Sequence, residues 1–565
     1  MNKFSTYIKS FLLLCGMFYV VFLLLPHNIF YHEQQSIFIF DSAFFHANFD
    51  KIGGLNSYLS AFIIQFFYIN WLGALIFSLL SLILYKSVKY LFYCLTNGKK
   101  DLMNFALVPV AWQVILFVKA DYSFEPLVAI LIAMALFFVW HRLPGWWAFV
   151  FALLCSLAMY ALIDYYVFIF LLLILLSTIF INKPDYKYLS LVGVTLIAPL
   201  VWVVPYFTTS DFAYSHLFEK STFSELYFFI LYIVVSIIIL RFSKIVSRKY
   251  EIALGVVSLV VILIGGSYLF VKQYDPREKQ IILIDKAIKE QKWDEVLKVS
   301  ERYSTPNLLI TYAANLAYLN KGELHGKLLT HNQSFGKYGL FMGRNVKNRD
   351  SQYSDYIYAS LGLYNEAHRL AWEAMTEMGL SVTTLKKLVA YNLIMGRSDI
   401  AQKFNSRLSR TLFYSHYYDE ISGSIEKNKN SCSPQRKAYF VNINDIGADM
   451  AYLIEDGEIT KDRVDCLLIS LLLDNRVVAF GRYLPMASEF YPAGLPLLYE
   501  QALLLLRQRF SGKMSVSERS EQQYTAYMNA YKRSKGDPSQ MVQFADTYYF
   551  YLNFISPNGS KIFEK

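Results

Sequence analysis

Long apolar runs separated by short polar connections fill the first half of the chain, whereas the second half spaces its apolar residues three and four apart. Up to Val271 the runs are rich in Leu, Ile, Phe and Val, with lengths close to the roughly 17 to 25 residues that cross ~30 Å of hydrocarbon. They predict about nine spans, near 10–30, 57–84, 102–118, 124–140, 146–163, 165–181, 188–207, 225–241 and 250–271. From Lys272 onward the charge density is that of a soluble protein, and Leu, Ala and Tyr recur at helical spacing with few strand signals. The expected fold is all-α. A polytopic transmembrane helical bundle covers 1–271, tetratricopeptide-like helical repeats cover 272–430, and a further extracytoplasmic helical region covers 431–565.

The repeat expectation rests on Gly362-Leu363-Tyr364-Asn365-Glu366-Ala367 and on Gly396-Arg397-Ser398-Asp399-Ile400-Ala401, which follows 34 residues later. That interval is the period of the tetratricopeptide repeat, a helix-turn-helix unit. Lys292-Trp293-Asp294-Glu295-Val296 and Lys321-Gly322-Glu323-Leu324 are weaker versions. Glycine permits the tight turn, and Ala367, Ala371 and Ala401 let helices approach closely. An irregular helical bundle with two coincident Gly-x-x-x-x-Ala turns is the competing reading. A repeat stack would offer a curved surface to a peptide or protein.

Orientation follows from the connections, because basic residues are retained on the cytoplasmic side. With the amino terminus inside, thirteen basic residues fall on the cytoplasmic side, among them Lys86, Lys89, Arg142, Arg241 and Arg248, against Lys51, Lys119 and Lys220 outside. An odd number of spans then places 272–565 outside the cytoplasm, in a periplasm if the cell has two membranes. The first run follows Lys3 and Lys9 as in a signal peptide, but Leu23-Leu24-Leu25-Pro26-His27 lacks small cleavage-site residues, so it is expected to remain as an anchor.

Composition agrees with a membrane portion: 55% of the 565 residues are hydrophobic. The net charge of +10 is spread over both halves and mixed with acids, which argues against nucleic-acid binding. Among five cysteines, only Cys432 and Cys466 are candidates for a disulfide, and free buried thiols are the alternative. No Gly-rich phosphate loop, Cys-x-x-Cys pair, His-x-x-x-His spacing or nucleophile elbow is present, so soluble enzyme classes find no support.

The acids gather on the outer side instead: Glu33, Asp41 and Asp50 in the first loop, Asp121 and Glu125 in the second, and Asp164 in the third. An acid-bearing outer mouth on a multi-span bundle with an external helical domain resembles the type C glycosyltransferases. That family carries an acid in the first external loop and often another after the third span. The matching positions are Asp41 in Phe40-Asp41-Ser42-Ala43, Asp50 in Asn48-Phe49-Asp50-Lys51, and Asp121 in Lys119-Ala120-Asp121-Tyr122. The first loop is shorter than is usual there and has no adjacent acids. A second resemblance, carried by Gly53-Gly54-Leu55-Asn56-Ser57-Tyr58 and Gln65-Phe66-Phe67-Tyr68-Ile69-Asn70-Trp71-Leu72-Gly73, is to an uncharacterised family of bacterial multi-span proteins with helical-repeat tails.

The type C resemblance implies a polyprenyl-phosphate-linked sugar donor entering from membrane lipid. Asp41 or Asp50, which the sequence does not rank, would accept the proton of an acceptor hydroxyl. Lys51, Lys119, His46 or His216 would neutralise the departing phosphate. Asp121 and Glu125 would orient the acceptor or hold a divalent cation through oxygen ligands. Each position also has a plain structural use. Asp41 suits the cap of a helix starting at Ser42, Asp50 can pair with Lys51, and Asp121 with Ser123 precedes Pro126 at a span start. A non-enzymatic membrane scaffold, whose repeats bind partner proteins of the cell envelope, is the rival function.

Overall fold

A computed structural model describes residues 3–96, 98, 101, 103–119, 122–180, 220–242, 248–303, 305–342, 348–427, 450–452, 459–509 and 516–559. Every regular element among them is helical. The chain divides into two compact units: Met1–Asp275 together with Arg410–Ser415, and the remainder. The hexapeptide thus joins the first unit although its chain neighbours on both sides belong to the second.

The first unit comprises α1 (Lys3–Tyr19), α2 (Pro26–Gln35), α3 (Ser42–Phe49), α4 (Gly54–Ile64), α5 (Asn70–Leu95), α6 (Leu107–Phe117), α7 (Glu125–Arg142), α8 (Gly145–Ile163), α9 (Val167–Phe180), α10 (Lys220–Phe242) and α11 (Arg248–Gln273). Among the described residues four helical segments are long and apolar enough to cross a membrane: Tyr7–Leu24, Asn70–Leu95, Glu125–Arg142 and Tyr250–Gln273. The apolar helices Leu107–Phe117, Trp146–Tyr160, Asp164–Phe180 and Phe228–Phe242 are shorter, and the stretch expected to span at 188–207 lies outside the described residues.

Two expected boundaries shift. The first span stops at Leu24, because Leu25 leaves the helix (φ −122°, ψ 31°) and Pro26, which has no N–H to continue the ladder, opens α2. The apolar run at 57–84 divides at Ile69, which is extended between a 3-10 turn at Gln65–Tyr68 and α5. Nothing in the run looks like a breaker. The division is instead fixed by packing: a Cβ on Gly73 would stand 2.9 Å from Ile29 Cγ2 and 3.1 Å from Phe67 Cα, so only glycine lets α5 start against that turn and α2.

The second unit is built from helix pairs that turn the same way. Its leading elements are α12 (Pro276–Lys289), α13 (Trp293–Glu301), α14 (Leu308–Asn320), α15 (Leu324–Lys327), α16 (Asp355–Ser360), α17 (Tyr364–Met378), α18 (Val382–Ile394), α19 (Ser398–Leu408), α20 (Tyr417–Lys427), α21 (Lys461–Leu473), α22 (Val477–Tyr483), α23 (Leu497–Arg509) and α24 (Glu518–Ser534). Between α12 and α13, α14 and α15, α16 and α17, α18 and α19, and α21 and α22, one residue takes positive φ: Gln291, Gly322, Gly362, Gly396 and Asn475. In each turn the next N–H donates to a carbonyl five residues back, as in Leu363 to Tyr358 and Arg397 to Asn392, both 2.8 Å. This bond satisfies a carbonyl that the helix end would otherwise orphan. Four turns then bury the residue five places after the turn residue: Val296, Ala367, Ala401 and Phe480.

Polar groups also lock this unit internally. Lys387 of α18 donates to Asp355 Oδ1 of α16 and to the Gln352 carbonyl, both at 2.6 Å, and lies over the Tyr356 ring. Tyr391 donates to the other Asp355 oxygen. Burial pulls the Lys387 ammonium below its ordinary range, with Asp355 opposing the shift. Farther along, Asp465 of α21 accepts from Tyr491 and Tyr499, next to the buried Cys466 thiol. Cys432 lies outside the described residues.

At Gly396 nothing would crowd a Cβ, so the cost of Gly396→Ala is the left-handed backbone alone, about 1 to 2 kcal/mol. Gln291→Gly, at the turn where a side chain already bears that strain, is expected to gain up to about 1 kcal/mol. Thermal unfolding of the full-length protein in detergent, followed by circular dichroism, should move the two midpoints in opposite directions.

Candidate functional site

Pro26 starts α2 and Asn28 fixes it in place by donating to the carbonyls of Phe117 and Val118, at 2.6 and 2.8 Å, where α6 ends. Those carbonyls have no intrahelical donor, so the bond anchors α2 and caps α6 together. The last turn of α2 then buries an acid: Glu33 is 4% exposed. Its carboxylate accepts from Gln34 Nε2 at 2.6 Å and from the Tyr414 hydroxyl. Beside it, His32 stacks on Phe117 at 5.1 Å, and burial pushes its pKa down to about 4.

Residues 36–41 carry the chain from α2 to α3 beneath the hexapeptide Arg410–Ser415. The Phe40 N–H donates to the Arg410 carbonyl at 2.9 Å, and the Arg410 guanidinium donates to the Asp41 carboxylate. Thr411 Oγ1 accepts from the Tyr414 N–H at 3.2 Å, which curls the hexapeptide. The curl seats Phe413 flat on Tyr68, with centroids 4.7 Å apart. Tyr414 is buried, and burial followed by the Glu33 charge raises its hydroxyl pKa well above the ordinary value. Arg410 and Tyr414 thus gather two acids, Asp41 at the cap of α3 and Glu33 in α2, under one short strap.

Asp41 also caps α3 by accepting from the Ala43 N–H at 3.3 Å. That backbone bond, with Arg410 behind it, holds the Asp41 carboxyl below its ordinary range. Asp50 stands at the opposite end of α3, about 13 Å farther along the axis at 1.5 Å per residue. Asp41 and Asp50 therefore do not form a carboxylate pair. His46, Asp50 and Lys51 are exposed, Lys119 is half-buried just past the end of α6, and Glu125 opens α7 with its N–H on Ser123 Oγ. Asp121 and His216 lie outside the described residues. No group of three His, Cys, Asp or Glu side chains able to hold a metal ion occurs among the described residues.

A further acid is placed under strain. Asp164, at the turn between α8 and α9, has φ 56° and ψ −148°, a region that essentially only glycine enters without cost. A Cβ on Gly53, itself at φ 79°, would lie 3.3 Å from the Asp164 Cβ, so the turn before α4 and the turn between α8 and α9 meet there. Trp112, Gln113, Tyr166 and Tyr232 help to line a small crevice.

The sequence places Glu33 in the first loop beside Asp41 and Asp50 but does not single it out, because nothing local to a loop acid shows that it will be buried. Pro26 followed by the polar run His32-Glu33-Gln34-Gln35 was the available sign of a separate helix. Arg410 and Tyr414 carry no local sign at all, since Tyr414 lies 381 residues from Glu33.

A family model described as a family of unknown function matches residues 3–555. No curated protein and no solved structure matches the chain.

Tyr414→Phe removes a donor from a buried carboxylate and is expected to cost about 1 to 3 kcal/mol, whereas Arg410→Ala, at a more exposed ion pair, should cost much less. Limited proteolysis around residue 410 in the full-length protein reads the difference. His32 gives a pH dependence: the unfolded chain takes its proton near pH 6.5 and the folded one only near 4. Its contribution is therefore complete above about pH 6.5 and is lost as pH falls towards 4, up to about 3 kcal/mol. His32→Phe should flatten the unfolding midpoint over that window.

Proposed function

We propose, for a chain that belongs to the family of unknown function DUF6057 over residues 3–555, that it is a membrane-anchored scaffold of the cell envelope whose helical repeats bind a partner protein. In this reading the protein lies in the cytoplasmic membrane with about nine spans. Its amino terminus is inside, and its tetratricopeptide-like helices stand on the outer face. The observation that carries the reading is the use made of the outer acids: Glu33 and Asp41 are engaged by Tyr414 and Arg410, side chains of a strap drawn from within the helical half of the sequence. The repeated turns support a stack of helix pairs, and such stacks present extended binding surfaces. Fold alone does not assign a partner.

A second reading, transfer of a sugar from a polyprenyl-phosphate-linked donor on the outer face, is favoured by one different observation. Strain at Asp164 beside Gly53, together with the exposed Asp50 and Lys51 a few residues away in sequence, is the kind of arrangement kept at working sites. There Asp50 or Asp164 would take the acceptor proton and Lys51 would meet the phosphate.

One set of strains separates the two: cells carrying Glu33→Gln, Asp41→Asn, Asp50→Asn, Asp164→Asn or a complete deletion, with membrane abundance checked for each. The scaffold reading expects unchanged envelope glycans in all of them. It also expects the wild-type protein to migrate on native gels in an assembly larger than itself, with Trp372→Ala, at an exposed ring of α17, weakening that assembly. Loss of a glycan with build-up of its lipid-linked precursor in Asp50→Asn or Asp164→Asn would replace it with the transferase reading.

A further inference from the structure

The helix α3 has no buried residue, although its sequence, Ser-Ala-Phe-Phe-His-Ala-Asn-Phe, is mostly apolar. Phe45 stacks on Phe49 at 4.2 Å and meets Tyr58 of α4 edge-on, and Phe38 continues the contacts to Tyr58 and Phe62. The outer sides of these rings stay open: Phe40 is 52% and Phe45 39% exposed. Beyond these rings Phe62 meets Phe66 edge-on, Phe66 and Tyr68 both meet Phe413, and exposed Trp71 follows in the first turn of α5. An aromatic ledge of this kind needs an apolar partner.

The position of the ledge says which partner. Helix α5 has 26 residues and is about 39 Å long, more than the ~30 Å of hydrocarbon, so the end bearing Trp71 reaches the headgroup layer. Tyr and Trp prefer that layer, where one side of the ring is apolar and the other wet. At eight residues α3 spans only about 12 Å, too short to cross the hydrocarbon. Its polar residues agree: His46 and Asp50 are exposed, as is the following Lys51.

We infer that α3 and the aromatic ledge form an interfacial membrane-binding surface, with Phe40, Phe45 and Phe62 set into the lipid beside the Trp71 end of α5. The inference rests on α5 crossing a membrane and holds for either functional reading. The ledge thereby fixes the depth of the Glu33 and Asp41 connection relative to the bilayer.

The test is photo-crosslinking in the full-length protein, reconstituted into vesicles of phosphatidylethanolamine and phosphatidylglycerol. A benzophenone amino acid replaces Phe45 or Phe62, or Tyr338 as an exposed control in the second unit. Gel filtration and Tyr414 protection from proteolysis confirm folding of each variant. Several-fold more lipid adduct at Phe45 and Phe62 than at Tyr338 is expected. Adducts mainly to a second copy of the chain, or no excess of lipid adduct over Tyr338 in folded variants, would overturn the inference.

Discussion

A buried carboxylate must be met by donors, and in the first unit that demand falls on Glu33. Its two oxygens take Gln34 and Tyr414, and supplying Tyr414 brings a hexapeptide from more than 370 residues away into the unit. Once the strap is there, Arg410 is positioned for Asp41 and for the Phe40 N–H, and Phe413 for Tyr68. The path from α2 to α3, and so the placing of the aromatic ledge, follows from one requirement: a charge that leaves water costs several kcal/mol unless it is paired or hydrogen-bonded.

Backbone groups impose a comparable rule elsewhere. The end of α6 meets it with the Asn28 amide, and the helix pairs of the second unit meet it with a recurring turn whose next N–H returns to a carbonyl five residues back. Glycine fills that turn at three places, while Gln291 and Asn475 fill it with a side chain. Local backbone accounting thus produces the same geometry from different residues. For this reason the turn at Asn475 was invisible to a search for glycine.

The candidate site shows a division of labour among acids that look alike in sequence. Asp41 is committed to a helix cap and an arginine, and Glu33 to a tyrosine. Asp50 stands in solvent, and Asp164 is held in a conformation that costs about 1 to 3 kcal/mol. Engaged acids serve the architecture, and the strain at Asp164 must be maintained by its surroundings.

The sequence by itself determined the helical class and the presence of helices apolar enough for a membrane, because periodicity and run length are local properties. It also showed where Gly322, Gly362 and Gly396 would turn the chain, since positive φ is costly for other residues. Only the tertiary structure decided that the run at 57–84 breaks at Ile69, through the close contact at Gly73, and that Glu33 is buried and Asp164 strained. It alone also placed Arg410–Ser415 in the first unit. Those outcomes depend on which distant side chains arrive to satisfy a charge or fill a gap, and no window along the chain contains that information.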